Sequence, residues 1–197
     1  TRLSNAALKF IETTDEQPFF LYLAYASPHA ALQVPNEELA SYSTFDETPY
    51  TATRNYLPHP KPRAARAAMI SNIDRSVGAI MDRLEELGIS DNTLIIFSSD
   101  NGPTPEGGGD VEFFDSNSIY RGYKRDLYEG GIRMPTLARW PGRIQPGSRS
   151  DHVSAFWDLM PTLAELAGTE PPKNDGLSFL PALLQEEGQE QHQSLYW

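Results

Sequence analysis

The chain has 197 residues, 39% of them hydrophobic and 22% charged, which fits one globular domain with a real core and excludes a disordered chain. Its formal net charge of -11 excludes the broad basic footprint of a nucleic-acid binder, while leaving room for a local basic cluster that meets an anionic substrate. It contains no cysteine, which rules out disulfides, thiolate metal sites and a cysteine nucleophile within these residues, and no apolar run is long enough to span a membrane.

In chain order, Leu3, Ala6, Ala7, Phe10 and Ile11 follow a helical period over Leu3 to Thr14, broken by Asp15-Glu16-Gln17-Pro18. Phe19 to Tyr25 (FFLYLAY) is a short, continuous apolar run that predicts a strand covered on both faces. It ends at Ala26-Ser27-Pro28-His29, where proline stiffens the turn that presents His29. A lone histidine is more often a satisfied surface or core side chain than a ligand. Residues 33–63 are polar and proline-rich without a sustained period, and read as a long surface excursion. Ala65 to Leu87 is the strongest helical pattern. Its stripe of Met69, Ile70, Ile73, Val77, Ile80, Met81, Leu84 and Leu87 predicts a core face, and Gly88 stands as the terminating residue.

Thr93 to Phe97 (TLIIF) predicts a second buried strand that runs into Ser98-Ser99-Asp100-Asn101-Gly102. Strand, helix and strand make a βαβ unit, with parallel strands expected and both strand ends on one edge of the sheet. That places His29 near Asp100 and Asn101. A carboxylate beside an amide carbonyl is a hard-oxygen pair suited to calcium or magnesium, yet Asn-Gly is also a strong turn signal, so both readings stand on these residues alone.

Residues 103–118, with Gly107-Gly108-Gly109 at the centre, read as a mobile loop beside the site. Arg121, Lys124, Arg125 and Arg133, four of the 16 basic residues, then cluster around paired glycines, as a site for a tetrahedral oxyanion requires. A solvated patch paired with Asp126 and Glu129 fits them equally. Pro135 to Trp140 predicts a further strand ended by Pro141-Gly142. Asp158 to Gly168 predicts a helix with Asp158 as N-cap, and Leu177 to Leu184 a short apolar segment.

Taken together, PFFLYLAYASPHAALQ, NTLIIFSSDNG, RGYKRDLYEGGIRMP, FWDLMPTLAELAG and DGLSFLPALL resemble, in order, the type I (arylsulfatase-like) sulfatases of the alkaline-phosphatase superfamily. The resemblance implies an α/β fold, with a mixed, mostly parallel sheet flanked by helices. It implies that Asp100 and Asn101 are ligands of a divalent cation, usually calcium. It also implies that His29 and Lys124 are catalytic residues that contact the sulfate group and the ester oxygen. The family's nucleophile, a formylglycine made within a C/S-x-P-x-R motif, has no counterpart here, nor do its early paired aspartates. The expectation is therefore that residues 1–197 are the C-terminal part of a sulfatase catalytic domain, beginning inside a helix and ending at the strand-like Leu195-Tyr196-Trp197. The substrate expected of the parent enzyme is a sulfated small molecule or sulfated carbohydrate, and the implied location is periplasmic, extracellular or lysosomal. The alternatives are a phosphodiesterase or phosphonate hydrolase on the same scaffold, or a non-catalytic binding module that kept the fold.

Overall fold

The computed structural model describes residues 2–14, 17–51 and 56–196, so the predicted break at Asp15-Glu16 and the terminal Trp197 lie outside the described residues. The chain divides into two compact units. The first comprises Thr1–Ser90 and Asn101–Arg133, the second Asp91–Asp100 and Met134–Trp197.

The first unit is built on two helices, α1 (Arg2–Glu12) and α2 (Pro62–Glu86). α1 buries Ser4, Ala7 and Ile11, the helical stripe expected of it. Its Ser4 hydroxyl donates to Ser76 Oγ of α2 at 2.9 Å, a buried bond between the two helices. α2 begins earlier than its apolar stripe implies. Pro62 stands at the first helical position, where its missing N–H costs nothing, and the carboxylate of Glu47 accepts the N–H groups of Arg63 (3.1 Å) and Ala64 (2.8 Å). A carboxylate from the preceding excursion thus caps the helix. At the other end, Gly88 N–H donates to Glu85 C=O and Ile89 N–H to Leu84 C=O, both 3.0 Å, which closes a Schellman motif at the glycine named from sequence.

The buried face of α2 differs from the expected stripe. Met69 and Leu84 are buried, but Ile70 and Leu87 are exposed, and the tightest packing runs through Ala64, Ala65, Ala67 and Ala68. Small residues let neighbouring segments approach on several sides of the helix, a signal that apolar periodicity of large residues misses. A core cluster of Leu32, Ala65 and Met69, flanked by Val34 and Leu39, pins the chain just after His29 onto α2. Within the excursion, a 3-10 helix spans Asn36–Tyr42 and Tyr50 pairs with His59 across an isolated bridge; residues 52–55 of that excursion lie outside the described residues.

Phe19 to Tyr25 forms no strand pairing among the described residues, which corrects the expectation of a parallel βαβ unit. Its burial alternates, with Phe20 and Tyr22 about 70% exposed and their neighbours half-buried, so it packs on one face only. An unbroken apolar run cannot distinguish one covered face from two.

In the second unit, β1 (Ile95–Phe97) pairs antiparallel with β2 (Leu137–Arg139), Ile96 opposite Ala138. Both fall inside the predicted strands but are shorter. Ser98 Oγ extends the junction by donating to Pro135 C=O (3.1 Å), and Trp140 Nε1–H donates to Asp91 C=O (3.0 Å) at the far end. Two helices follow in this unit, α4 (Leu159–Leu166) and α5 (Leu180–Leu184); the one-turn α3 (Glu129–Ile132) belongs to the first unit. Asp158 is not a side-chain N-cap. Fully buried, its carboxylate accepts Ala155 N–H (2.7 Å) and Leu177 N–H (2.8 Å) and meets His192 Nε2 at 2.9 Å, tying three segments to the start of α4. Gly168 ends α4, as expected. Leu195 and Tyr196 are not in a strand.

Candidate active site

Asp100 lies just beyond β1, at the strand end that the sequence indicated. It is exposed, and among the described residues its carboxylate takes no hydrogen bond or ion pair. Asn101, its peptide-bonded neighbour, opens the first unit's second segment. Its Nδ2 donates to Gly102 C=O at 3.0 Å, which orients the amide. No group of three His, Asp or Glu side chains among the described residues converges on a common point. The two oxygen donors fit a hard cation in chemistry, and such an ion takes six to eight oxygens when it is calcium.

Backbone bonds tie the segment Arg121–Arg133 to the residues after Asn101 and close it on itself. Gly102 N–H donates to Gly131 C=O (2.9 Å) and Lys124 N–H to Pro103 C=O (2.8 Å), while within the segment Gly130 N–H donates to Arg121 C=O (2.8 Å). No side chain fits between these strands of backbone. A Cβ on Gly102 would sit 2.0 Å from Gly130 O, and one on Gly131 2.2 Å from Asp126 O. The paired glycines therefore serve close backbone approach, as their spacing indicated.

Three of the four clustered cations are committed. Arg121 lies over the Tyr128 ring at 3.9 Å, Arg133 pairs with Glu129 at 3.1 Å, and Arg125 pairs with Glu106. Among the described residues Asp126 does not pair with a cation; its Oδ2 accepts Tyr123 N–H at 2.9 Å. Lys124 is half-buried, and among the described residues its ammonium makes no hydrogen bond or ion pair. Of the pairings expected with Asp126 and Glu129, Arg133–Glu129 forms; Arg121 and Arg125 find other partners, and Lys124 is the cation left over among the described residues.

His29 is exposed on a turn closed by its own N–H to Ala26 C=O (3.0 Å). Its Nδ1 lies 2.5 Å from Ala30 C=O, so the tautomer with Nδ1–H leaves Nε2 for other work. The ring meets Tyr56 edge-on at 5.9 Å, and the Tyr56 hydroxyl donates to Glu106 Oε2 across a long 3.4 Å. Glu106 in turn holds Arg125, next to Lys124. His29 and Lys124 are thereby linked within the first unit by a chain of contacts, and Asn101 stands two residues before Pro103, whose C=O accepts Lys124 N–H.

That chain runs through residues 103–118, where Thr104, Gly107 and Val111 are buried while Glu112, Phe113, Asp115 and Ser116 are exposed. A Cβ on Gly107 would lie 2.3 Å from Ala30 Cβ and 3.3 Å from the Tyr56 ring, so the glycines allow tight seating against the His29 turn. Beneath the loop, Arg66 of α2 is buried, with Nη2 donating to Thr104 C=O at 3.4 Å, and burial lowers its pKa from the usual guanidinium value. On the loop's outer part, Asp110 accepts Phe113 N–H (2.9 Å) and pairs with Arg63 (2.6 Å). These bonds, the backbone one first, hold its carboxyl below the usual range. Tyr56, Glu106 and Arg66 carry no periodic or motif signal. Glu106 could have been noticed only as the acid that opens a glycine triplet.

A family profile described as Sulfatase matches residues 1–169. Steryl-sulfatase of Rattus norvegicus is 33% identical over 99% of this chain and 31% of its own length. N-acetylgalactosamine-6-sulfatase of Mus musculus is 36% identical over 90% of this chain and again 31% of its own length. Among solved structures, Ps i-CgsB in complex with k-i-k-neocarrahexaose superposes with a TM-score of 0.79 at 33% identity, covering 93% of this chain and 38% of that one. A phosphonate monoester hydrolase from Silicibacter pomeroyi has a TM-score of 0.72 at 21% identity over 98% of this chain and 42% of its own, which shows a shared fold. The chain spans about a third of the length of the curated relatives it matches.

Proposed function

The chain belongs to the sulfatase family, and on that premise we propose that it is the C-terminal part of the catalytic domain of a sulfuric-ester hydrolase. The observation that carries the reading is Lys124. It is the one cation of its cluster with no partner among the described residues, and it sits on backbone bonded to the residues that follow Asn101. An ammonium so placed neutralises charge on the sulfuryl oxygens as the S–O bond breaks. His29 hydrogen-bonds or protonates the leaving ester oxygen through Nε2. Asp100 and Asn101 would hold a divalent cation, calcium in preference to magnesium because calcium's larger and more adaptable coordination shell accepts protein carboxylate and amide oxygens more readily. Bound there, the cation would withdraw electron density from the sulfate oxygens. The formylglycine nucleophile and the remaining cation ligands would come from sequence outside these 197 residues.

The substrate we propose is a sulfated small molecule or sulfated carbohydrate. Support comes from the relatives' names, which include a sterol and an amino-sugar sulfatase, and from the oligosaccharide complex of Ps i-CgsB. By the same likeness the protein would act in the periplasm, outside the cell or in the lysosome; among the described residues no helix is long and apolar enough to cross a membrane. Because a phosphonate hydrolase shares the fold, the full-length protein should be assayed on an aryl sulfate, an aryl phosphate and an aryl phosphonate. The expected result is kcat/KM highest on the sulfate. Preference for either phosphorus ester overturns the proposal.

A further inference from the structure

We propose that Glu106 is a positioning residue that sets both Lys124 and His29, an inference that rests on the reaction proposed above. Tyr123 to Asp126 form a four-residue turn closed by Asp126 N–H to Tyr123 C=O at 2.9 Å and reinforced by Asp126 Oδ2 on Tyr123 N–H. Lys124 and Arg125 are its two central residues. Arg125 has φ +82°, a conformation that the third position of such a turn ordinarily gives to glycine or asparagine. A long side chain is therefore held where its backbone is strained, directly after the lysine that meets substrate.

What holds it is Glu106. One carboxylate oxygen pairs with Arg125 Nη1, and the other accepts from Tyr56, whose ring packs on His29. Glu106 is itself fixed, because its N–H donates to Thr104 Oγ1 (3.1 Å) and the adjacent Gly107 is wedged against Ala30 and Tyr56. One carboxylate thus joins the lysine turn to the histidine turn. As a stabilising ion pair it counts for little, since the Arg125 side chain is 69% exposed. Its consequence is geometric: it selects the strained turn that aims Lys124 and keeps the aromatic wall beside His29 in place.

The test uses the full-length protein on an aryl sulfate, with kcat, KM and melting temperature measured for Glu106→Gln, Arg125→Ala, their double variant and Arg125→Gly. Arg125→Ala deletes the ion pair and leaves the positive φ strained, whereas Arg125→Gly deletes the pair but suits that φ, so it should keep the turn and a kcat within about twofold of wild type. Glu106→Gln and Arg125→Ala should each lose about tenfold in kcat with KM within about twofold, because alignment and not binding is disturbed. The melting temperature should stay unchanged. The double variant should be no worse than the poorer single, since both remove one interaction. Wild-type kcat in Glu106→Gln, or in Arg125→Ala should the first fail to fold, overturns the proposal, as does a double variant whose loss is the product of the singles. Lys124→Ala, run alongside, separates the two levels. If it stays fully active, the underlying reaction assignment fails; if it is crippled while Glu106→Gln is untouched, only the role of Glu106 fails.

Discussion

Gly131→Ala should disable the protein without removing any functional group. A Cβ at Gly131 would lie 2.2 Å from Asp126 O and 2.4 Å from Tyr123 O, the two carbonyls that begin and end the Lys124 turn. Ordinary contact needs about 3.4 Å, so the turn must retreat by roughly 1 Å, or the helix α3 must move by as much. Displacing a catalytic group by that distance costs on the order of 100-fold in turnover. The lysine remains and its charge remains; only its place changes. The assay is sulfate release by the full-length variant, with circular dichroism and a thermal melt showing that the rest of the fold survives. Activity within about threefold of wild type, at an unchanged melting temperature, would refute the claim that these glycines position Lys124.

Other perturbations test the scaffold and the cation site. Leu32 is 4% exposed against Ala65 and Met69, so Leu32→Ala should cost about 2–3 kcal/mol in urea unfolding, less than a fully enclosed leucine because Val34 and Leu39 can close in; a loss under about 1 kcal/mol would contradict that packing. The folded-state pKa of Asp110 is depressed, so the ionised carboxylate contributes stability above its unfolded value of about 3.9 and that contribution is lost as pH falls. The advantage of wild type over Asp110→Asn, about 0.5–1 kcal/mol near neutrality, should therefore shrink below about pH 4, and an advantage that grows with acid would contradict it. Asp100→Asn should weaken calcium binding to the full-length protein by about tenfold or more in calorimetric titration, and unchanged affinity would remove Asp100 from the ligand set.

The parts of the molecule legible from sequence are those set by local chemistry. Gly88 and Gly168 end their helices, Asp100 follows β1, and the glycines at 130 and 131 mark close backbone approach. What sequence did not disclose depends on partners distant along the chain. Phe19 to Tyr25 has strand composition, but its pairing and its exposed face are tertiary facts. The loop at 103–118 has the glycine content of a mobile segment, and the seating of its glycines against Ala30, Tyr56 and Arg66 depends on residues distant along the chain. Asp158 has the position of an N-cap, yet its carboxylate turns back to Ala155 and across to Leu177 and His192, contacts that no local pattern encodes.

Turnover by Lys124→Ala in the full-length protein tests the reaction assignment most sharply. Its kcat on an aryl sulfate should fall by about 100- to 1,000-fold. Its melting temperature should change little, because the ammonium has no partner to lose among the described residues. Turnover within about threefold of wild type would contradict a catalytic role for Lys124, since no charge there would then be needed where the sulfate ester breaks.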